Sequence, residues 1–300
     1  MTDADGFRRY LRAKRTVDDR AIDRRLVGTL RDRLRDRAAA GAGPLEVLEV
    51  GAGIGTMLAR LLEWDVLPDG EIRYAAVDVD PDTVASVAPY VREWAEERAV
   101  SVSGRDPIVI ETVDRRIELE TVAAEAVSYA DRTAGEWDLL VGAALLDILD
   151  LGGLDRLLGA LSPGGYCYFP ITFDGATRFR PTHPADREIE RLYHAHMDAK
   201  PGGSSRAGGD VLGRLRAAAD VRILGVAGSD WVVRPIEGAY PADEAYFLRY
   251  IVDTIEVAVG EMTDDTETLE AWLTERREQA DAAELCYLTH QLDVLGRVDE

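Results

Sequence analysis

The mostly apolar run Leu45-Glu-Val-Leu-Glu-Val50 passes without a break into Gly51-Ala-Gly-Ile-Gly55, and a helical pattern follows from Thr56 to Trp64. A strand turned by glycines straight into a helix must cross back over its own sheet, and such crossovers join parallel strands. No other feature constrains the fold as much. The same rhythm continues with a strand over 72–77 and a helix over 82–98. A β-rich stretch over 107–122, with a turn around Asp114-Arg115, precedes a strand over 138–143, a helix over 151–161 and a strand over 166–173. Alternation of this kind predicts an α/β fold, a mostly parallel sheet with helices on both faces.

The flanks differ. Ile22, Leu26, Leu30 and Leu34 recur every four residues and predict a helix over 17–39, with Thr16 and Asp19 as its capping pair. Phe7, Tyr10 and Leu11 point to a short helix before it. Beyond Phe173 the rhythm fails: a helix over 185–197 leads into the loop Pro201-Gly-Gly-Ser-Ser-Arg-Ala-Gly-Gly209. A helix over 211–219 follows, then a hairpin of 221–226 with 231–235 across Gly228-Ser-Asp230, then helices over 242–260 and 266–295. There is no internal repeat. Five segments result: an N-terminal helical arm (1–43), a ligand-binding core (44–173), an insertion or lid (174–207), a helix and hairpin completing the core (208–236), and C-terminal helices (237–300).

With 46% hydrophobic and 30% charged residues, the 300-residue chain has the composition of a globular protein rather than a collagen-like or disordered one. No apolar run approaches the roughly 20 residues of a membrane span. The first residues carry charge where a secretory signal needs an apolar core. Cys167 and Cys286 form no metal or redox motif, and the chain reads as cytoplasmic. Its net charge is −21, and Lys14 and Lys200 are its only lysines. Salt-adapted proteins carry such an acid excess, while a GC-rich coding sequence equally explains the missing lysine. Residues 1–40 run against the trend at +5.

Glycines after a buried strand let the backbone turn sharply and approach a ligand, and the helix that follows offers free N–H donors. A dinucleotide site and a tight turn with no ligand both remain open on this motif alone. The dinucleotide fingerprint wants glycine where Thr56 stands, and Glu49 just before the turn suits an ammonium group better than a pyrophosphate. Asp78, 27 residues after Gly51, ends the predicted strand in Ala75-Ala-Val-Asp-Val-Asp-Pro81. There it can hold two ribose hydroxyls, or, like Asp80, cap the next helix.

Taken together, Glu49-Val-Gly-Ala-Gly-Ile-Gly55, the Val77-Asp-Val-Asp80 strand end, Trp137-Asp-Leu-Leu-Val141 and Leu161-Ser-Pro-Gly-Gly165 resemble the class I S-adenosylmethionine-dependent methyltransferases of small-molecule type. The resemblance covers about residues 44–172. It implies a Rossmann-like sheet of seven strands, the last two forming an antiparallel hairpin, roofed by the N-terminal arm, the insertion and the C-terminal helices. It implies S-adenosylmethionine as cofactor. Gly51, Gly53 and Gly55 would line its methionine part, Glu49 would hold its amino end, and Asp78 the ribose. Val79 would lie against the adenine, Glu125 and Ala126 near the adenine amino group, and Ala143 beside the reacting end.

Methyl transfer needs alignment and, for a hydroxyl or amine, a route for a proton. The segment Val141-Gly-Ala-Ala-Leu-Leu-Asp-Ile-Leu149 lacks the Asn-Pro-Pro-Tyr and Pro-Cys signatures of enzymes that methylate nucleobases. A small-molecule acceptor methylated on O, N or C is therefore expected, with Lys14, Asp147, Tyr193 and His290 as pocket candidates. His194 and His196 are candidate bases. On a helix they point about 200° apart, so no metal site is expected. An enzyme of RNA or protein is the alternative, favoured by the basic arm, although Asp18, Asp19, Asp23, Asp32 and Asp36 are threaded among its arginines. A cofactor-binding protein without catalysis is a further one, and a nicotinamide oxidoreductase fits Glu49 and Thr56 badly. No membrane partner is expected.

Overall fold

A computed structural model describes residues 4–41, 43–98 and 100–299. Helices α1 (Ala4–Ala21) and α2 (Arg24–Ala40) precede β1 (Leu45–Val50), α3 (Thr56–Glu63) and β2 (Gly70–Asp78). Next come α4 (Pro81–Ala85), α5 (Val87–Glu96), β3 (Ser101–Gly104), β4 (Ile108–Glu111) and β5 (Arg115–Ala123). After α6 (Ala126–Arg132), β6 (Trp137–Val141) and α7 (Leu154–Leu158) the chain enters the long β7 (Leu161–Arg180). It ends with α8 (Asp186–Ala199), α9 (Ala207–Ala217), β8 (Val221–Gly228), β9 (Trp231–Val233), α10 (Glu244–Gly260), α11 (Thr266–Asp281) and β10 (Cys286–Val298).

The strands form one sheet in the order β3-β4-β5-β2-β1-β6-β7-β10-β8, with β9 also on β10. Strands β5, β2, β1, β6 and β7 are parallel, as the glycine turn and the crossover helices require. Apolar side chains from alternate positions of β1 enter two cores. Leu45 and Val47 face α1, α3, α5 and α10, whereas Leu48 and Val50 face α6, α7 and α9. The expected α/β fold with helices on both faces is the one observed, extended by a β3–β4 edge. The sequence turn near Asp114 is the β4–β5 connection.

Four expectations need correcting. The first helix does not run unbroken over 17–39. The chain breaks at Ile22-Asp23, where the Asp23 carboxylate accepts the N–H groups of Arg25 and Leu26 and so caps α2. Thr16 caps nothing; its hydroxyl donates to Glu244. The helix expected over 82–98 is likewise two, parted at Ser86.

The third correction is larger. Strands β8 and β9 do not pair as a hairpin; each runs antiparallel to β10, which occupies the place between β7 and β8. Helix α11 stops at Asp281, and from Cys286 on the residues expected to extend it to Leu295 are strand. Tyr287, Thr289, Gln291 and Asp293 alternate inward, so the period of two is written in mostly polar residues and escapes an apolar reading. The fourth follows: β7 continues through Arg180, so the inserted segment starts later than 174, and 237–300 is not wholly helical.

Asp293 secures this join. Its buried carboxylate accepts the N–H of Ile171 at 2.9 Å and of Asp23 at 2.8 Å, tying β10 to β7 and to the start of α2. Ile171 has φ +58°, a costly conformation for a branched residue that this bond helps to hold. Asp293→Ala strands both donors. Urea denaturation should show a loss of about 2–5 kcal/mol, the cost of two orphaned N–H groups; a change under 1 kcal/mol would show that the join does not need the carboxylate.

Candidate functional site

The chain leaves β1 to build β2 and β5 on one side and later β6 and β7 on the other. Where the order reverses, between β1 and β6, the carboxyl ends of the strands leave a crevice. The glycine turn and Asp78 lie on this rim. Gly51, Gly53 and Gly55 have φ of +65°, +55° and +88°, the left-handed region that glycine enters freely. Gly55 opens α3 with no side-chain cap, leaving first-turn N–H groups available.

Asp78, at the end of β2, holds the turn. One carboxylate oxygen accepts the Gly53 N–H at 2.9 Å and the other the Asp80 N–H at 3.1 Å. Each oxygen keeps a lone pair for a further donor. Next to it Val79 is 71% exposed, an apolar side chain left in the open beside a fixed carboxylate. The Ala124 N–H donates to the Asp78 carbonyl and brings the start of α6 to the same edge. Glu125 is exposed, and its carboxylate caps that helix through the Val127 and Ser128 N–H groups. The floor of glycines is covered by the tips of flexible side chains, Leu145 over Gly51 and Leu11 of α1 over Gly53. Ala143 leads into Ala144, at φ +50°.

Glu49 sits beneath this rim rather than on it. It is 2% exposed and accepts the Tyr74 hydroxyl at 2.5 Å. Burial pushes its carboxyl up to about 7, against the pull of the Tyr74 hydroxyl and the Arg60 charge.

Two residues beyond Leu145 the same segment lines a cavity of about 700 Å³. Asp147 and Ile148 form one wall, Tyr193, His196 and Met197 of α8 another, and Tyr246 and Tyr250 of α10 a third. Burial pushes the Asp147 carboxyl up to about 6, and one of its oxygens is buried with no hydrogen-bond partner. Lys14 is close enough for its charge to favour the ionised form, yet its ammonium is spent on Asp18 at 2.6 Å. Burial also pushes Tyr193 up to about 12, with Asp147 adding to the rise. Lys14, Asp147 and Tyr193 thus meet from three distant stretches of chain.

The histidines divide. His196 is buried at the cavity wall with Nε2 2.9 Å from a Glu261 carboxylate oxygen. His194 faces the other way, 2.9 Å from the Thr177 hydroxyl and edge-on to Phe173, and burial lowers its pKa. His290 lies off the cavity, exposed and 2.7 Å from Asp230. Among the described residues no cluster of His, Cys, Asp and Glu could hold a metal, and no helix is long and apolar enough to cross a membrane. Most arginines of the arm are ion-paired: Arg9 with Asp243, Arg12 with Glu93, Arg15 with Glu63, Arg20 with Glu244, Arg35 with Asp65 and Arg37 with Asp138.

No protein-family description and no curated protein matches the chain. Solved structures do. The protein in the study "Conversion of a Disulfide Bond into a Thioacetal Group during Echinomycin Biosynthesis" is 14% identical, with 88% of this chain and 80% of that one covered and a TM-score of 0.41. YcgJ of Bacillus subtilis is 11% identical over 93% of this chain and 99% of that one, at 0.45. The Haemonchus contortus phosphoethanolamine N-methyltransferase 2, solved with phosphomonomethylethanolamine and S-adenosylhomocysteine, is 12% identical over 90% of this chain and 52% of that one, at 0.38.

The Glu49 carboxyl sets a pH test. Its folded pKa near 7 lies above the unfolded value near 4.5, so the native state holds the proton more tightly. Its contribution to stability is full below pH 4.5 and lost as pH rises through 7. Glu49→Gln keeps an acceptor for Tyr74 and removes the buried charge. At pH 8 the variant should be more stable by about 1–3 kcal/mol, with little difference at pH 4. Equal stability of the two proteins at pH 8 would show that Glu49 is not held in a desolvated place.

Proposed function

We propose that the protein transfers a methyl group from S-adenosylmethionine to a small molecule bound in the cavity that Asp147 lines. One observation carries this reading: a turn of three left-handed glycines, a carboxylate fixed at the next strand end and an exposed apolar residue beside it converge at the reversal of strand order. The residues fit an adenosyl group. Asp78 has lone pairs left for two ribose hydroxyls, Val79 offers an apolar face for the adenine, and Ala126 borders it. Gly51 and Gly53 leave a floor over which only the tips of Leu145 and Leu11 have to move. Glu49, being buried, acts on the amino end through the shape and charge of the turn rather than by direct contact.

Bound there, the cofactor supplies an electrophilic methyl group. The chain supplies alignment, dryness and a proton acceptor. Leu145 and Asp147 stand on one short segment, so the methyl end and the cavity share a wall. The Asp147 carboxylate lines the cavity, has an oxygen with no partner, and takes the proton that the acceptor sheds. Its raised pKa suits it to this role better than either histidine, one tied to Glu261 and the other turned toward Thr177. The cavity favours an enzyme over a cofactor-binding protein without catalysis. The paired arginines of the arm favour a small acceptor over RNA, whose backbone needs free cations.

Asp78→Ala tests the cofactor assignment. Calorimetry should give micromolar or tighter binding of S-adenosylmethionine and S-adenosylhomocysteine to the wild-type chain, and weaker binding of NAD. The variant should lose about 1–3 kcal/mol of that affinity, as expected for charge-assisted hydrogen bonds. NAD binding more tightly than S-adenosylmethionine would overturn the assignment.

A further inference from the structure

The composition of the cavity is lopsided. Three tyrosines and Asp147, one of whose carboxylate oxygens is buried and unpartnered, line a space whose one unpaired lining cation among the described residues is the solvent-exposed Lys200. Lys14, whose charge reaches Asp147, is bonded to Asp18 and lies 5.1 Å from the centre of the Trp231 ring. His196 is bonded to Glu261. Lys200 reaches the lining only from an exposed position at the mouth. An orphaned oxygen in a partly desolvated place is costly unless a donor comes to it, and a charged donor gains most.

The rings are held in place. Tyr250 stacks on Tyr10 with centroids 4.2 Å apart, and Tyr246 donates its hydroxyl to the Gly6 carbonyl. The faces of fixed phenol rings attract cations and apolar groups and repel anions. At the mouth stand Ile148, 68% exposed, and Val257, 63% exposed; both are among the few large apolar side chains this protein leaves in water. A surface that keeps such residues along one cavity has apolar matter to receive there.

We propose that the acceptor site selects a primary or secondary amine carried on an apolar body, with the ammonium seated on Asp147 and the body running past the tyrosines to Ile148 and Val257. The assignment rests on the methyl-transfer reading for its chemistry, in which the seated ammonium must first give one proton to the Asp147 carboxylate so that the nitrogen lone pair is free to accept the methyl group, but the selectivity belongs to the cavity alone. Carboxylates and phosphates of the same size are excluded, because the inner end holds an acid and no free base. Neutral alcohols enter but gain no charge pairing.

The test uses three probes of one shape, 2-phenylethylamine, 2-phenylethanol and 3-phenylpropanoate, titrated calorimetrically into the full chain with and without S-adenosylhomocysteine. The amine should bind at least about tenfold more tightly than either of the others, the worth of one charge-assisted hydrogen bond. Asp147→Asn, of the same shape, should remove that preference and leave 2-phenylethanol within about threefold. Three results overturn the proposal: no binding of the amine, binding of the alcohol or the carboxylate as tight as that of the amine, or a preference that survives Asp147→Asn. The wild-type ranking decides the question even if the variant fails to fold. Failure of the methyl-transfer reading shows separately, as amine selectivity in a chain that does not bind S-adenosylhomocysteine.

Discussion

The insertion of β10 between β7 and β8 is the constraint on which the rest of the structure depends. A parallel sheet ending at β7 would leave an open edge and no reason for the last 60 residues to return. Helices α10 and α11 fill the chain between β9 and β10 and pack into the same core as α1, α3 and α5. β7 runs far beyond its pairing with β6, which ends at Tyr168, while β10 pairs its other edge from Tyr166 as far as Arg180. The same extension carries α8 out to the cavity wall. Asp293, which bonds both β7 and the start of α2, keeps the join and the N-terminal helices in one register.

Helix α1 then closes the site from the other side. Its polar residues are spent inward: Thr16 and Arg20 on the buried Glu244 of α10, and Lys14 on Asp18, which also accepts the Trp231 indole N–H at 3.0 Å. Tyr10 stacks between Phe247 and Tyr250. These contacts put Leu11 over the glycine turn.

Much of the sheet was legible in the sequence because its central strands are buried on both faces and announce themselves as apolar runs bounded by glycine. The turn at Gly51–Gly55 and the carboxylate at Asp78 could be placed on strand ends for the same reason. The C-terminal strand could not, since Tyr287, Thr289, Gln291 and Asp293 bury polar groups where an apolar alternation would have been visible. The break at Ile22-Asp23 was hidden too, since the four-residue spacing of apolar residues starts at Ile22 and runs straight across it to Leu26, and only the distant Asp293 shows why the chain turns. In the candidate site, Asp147 and Tyr193 could be singled out by position and residue type. That Lys14 would lie beside them, and that His290 would not, depends on the path of α1 and β10 through space. Local pattern carries no trace of either.

The claim at the centre of this account is that a cofactor rim and an acceptor cavity meet at the segment from Ala143 to Asp147. A crystal structure of the full chain grown with S-adenosylhomocysteine tests it most directly. The account predicts the ribose hydroxyls on Asp78, the adenine against Val79, Leu145 and Leu11 moved off the glycines, and the sulfur directed toward the cavity holding Asp147. Nucleoside density elsewhere on the protein, or a sulfur pointing away from that cavity with Leu145 still seated on Gly51, would contradict it.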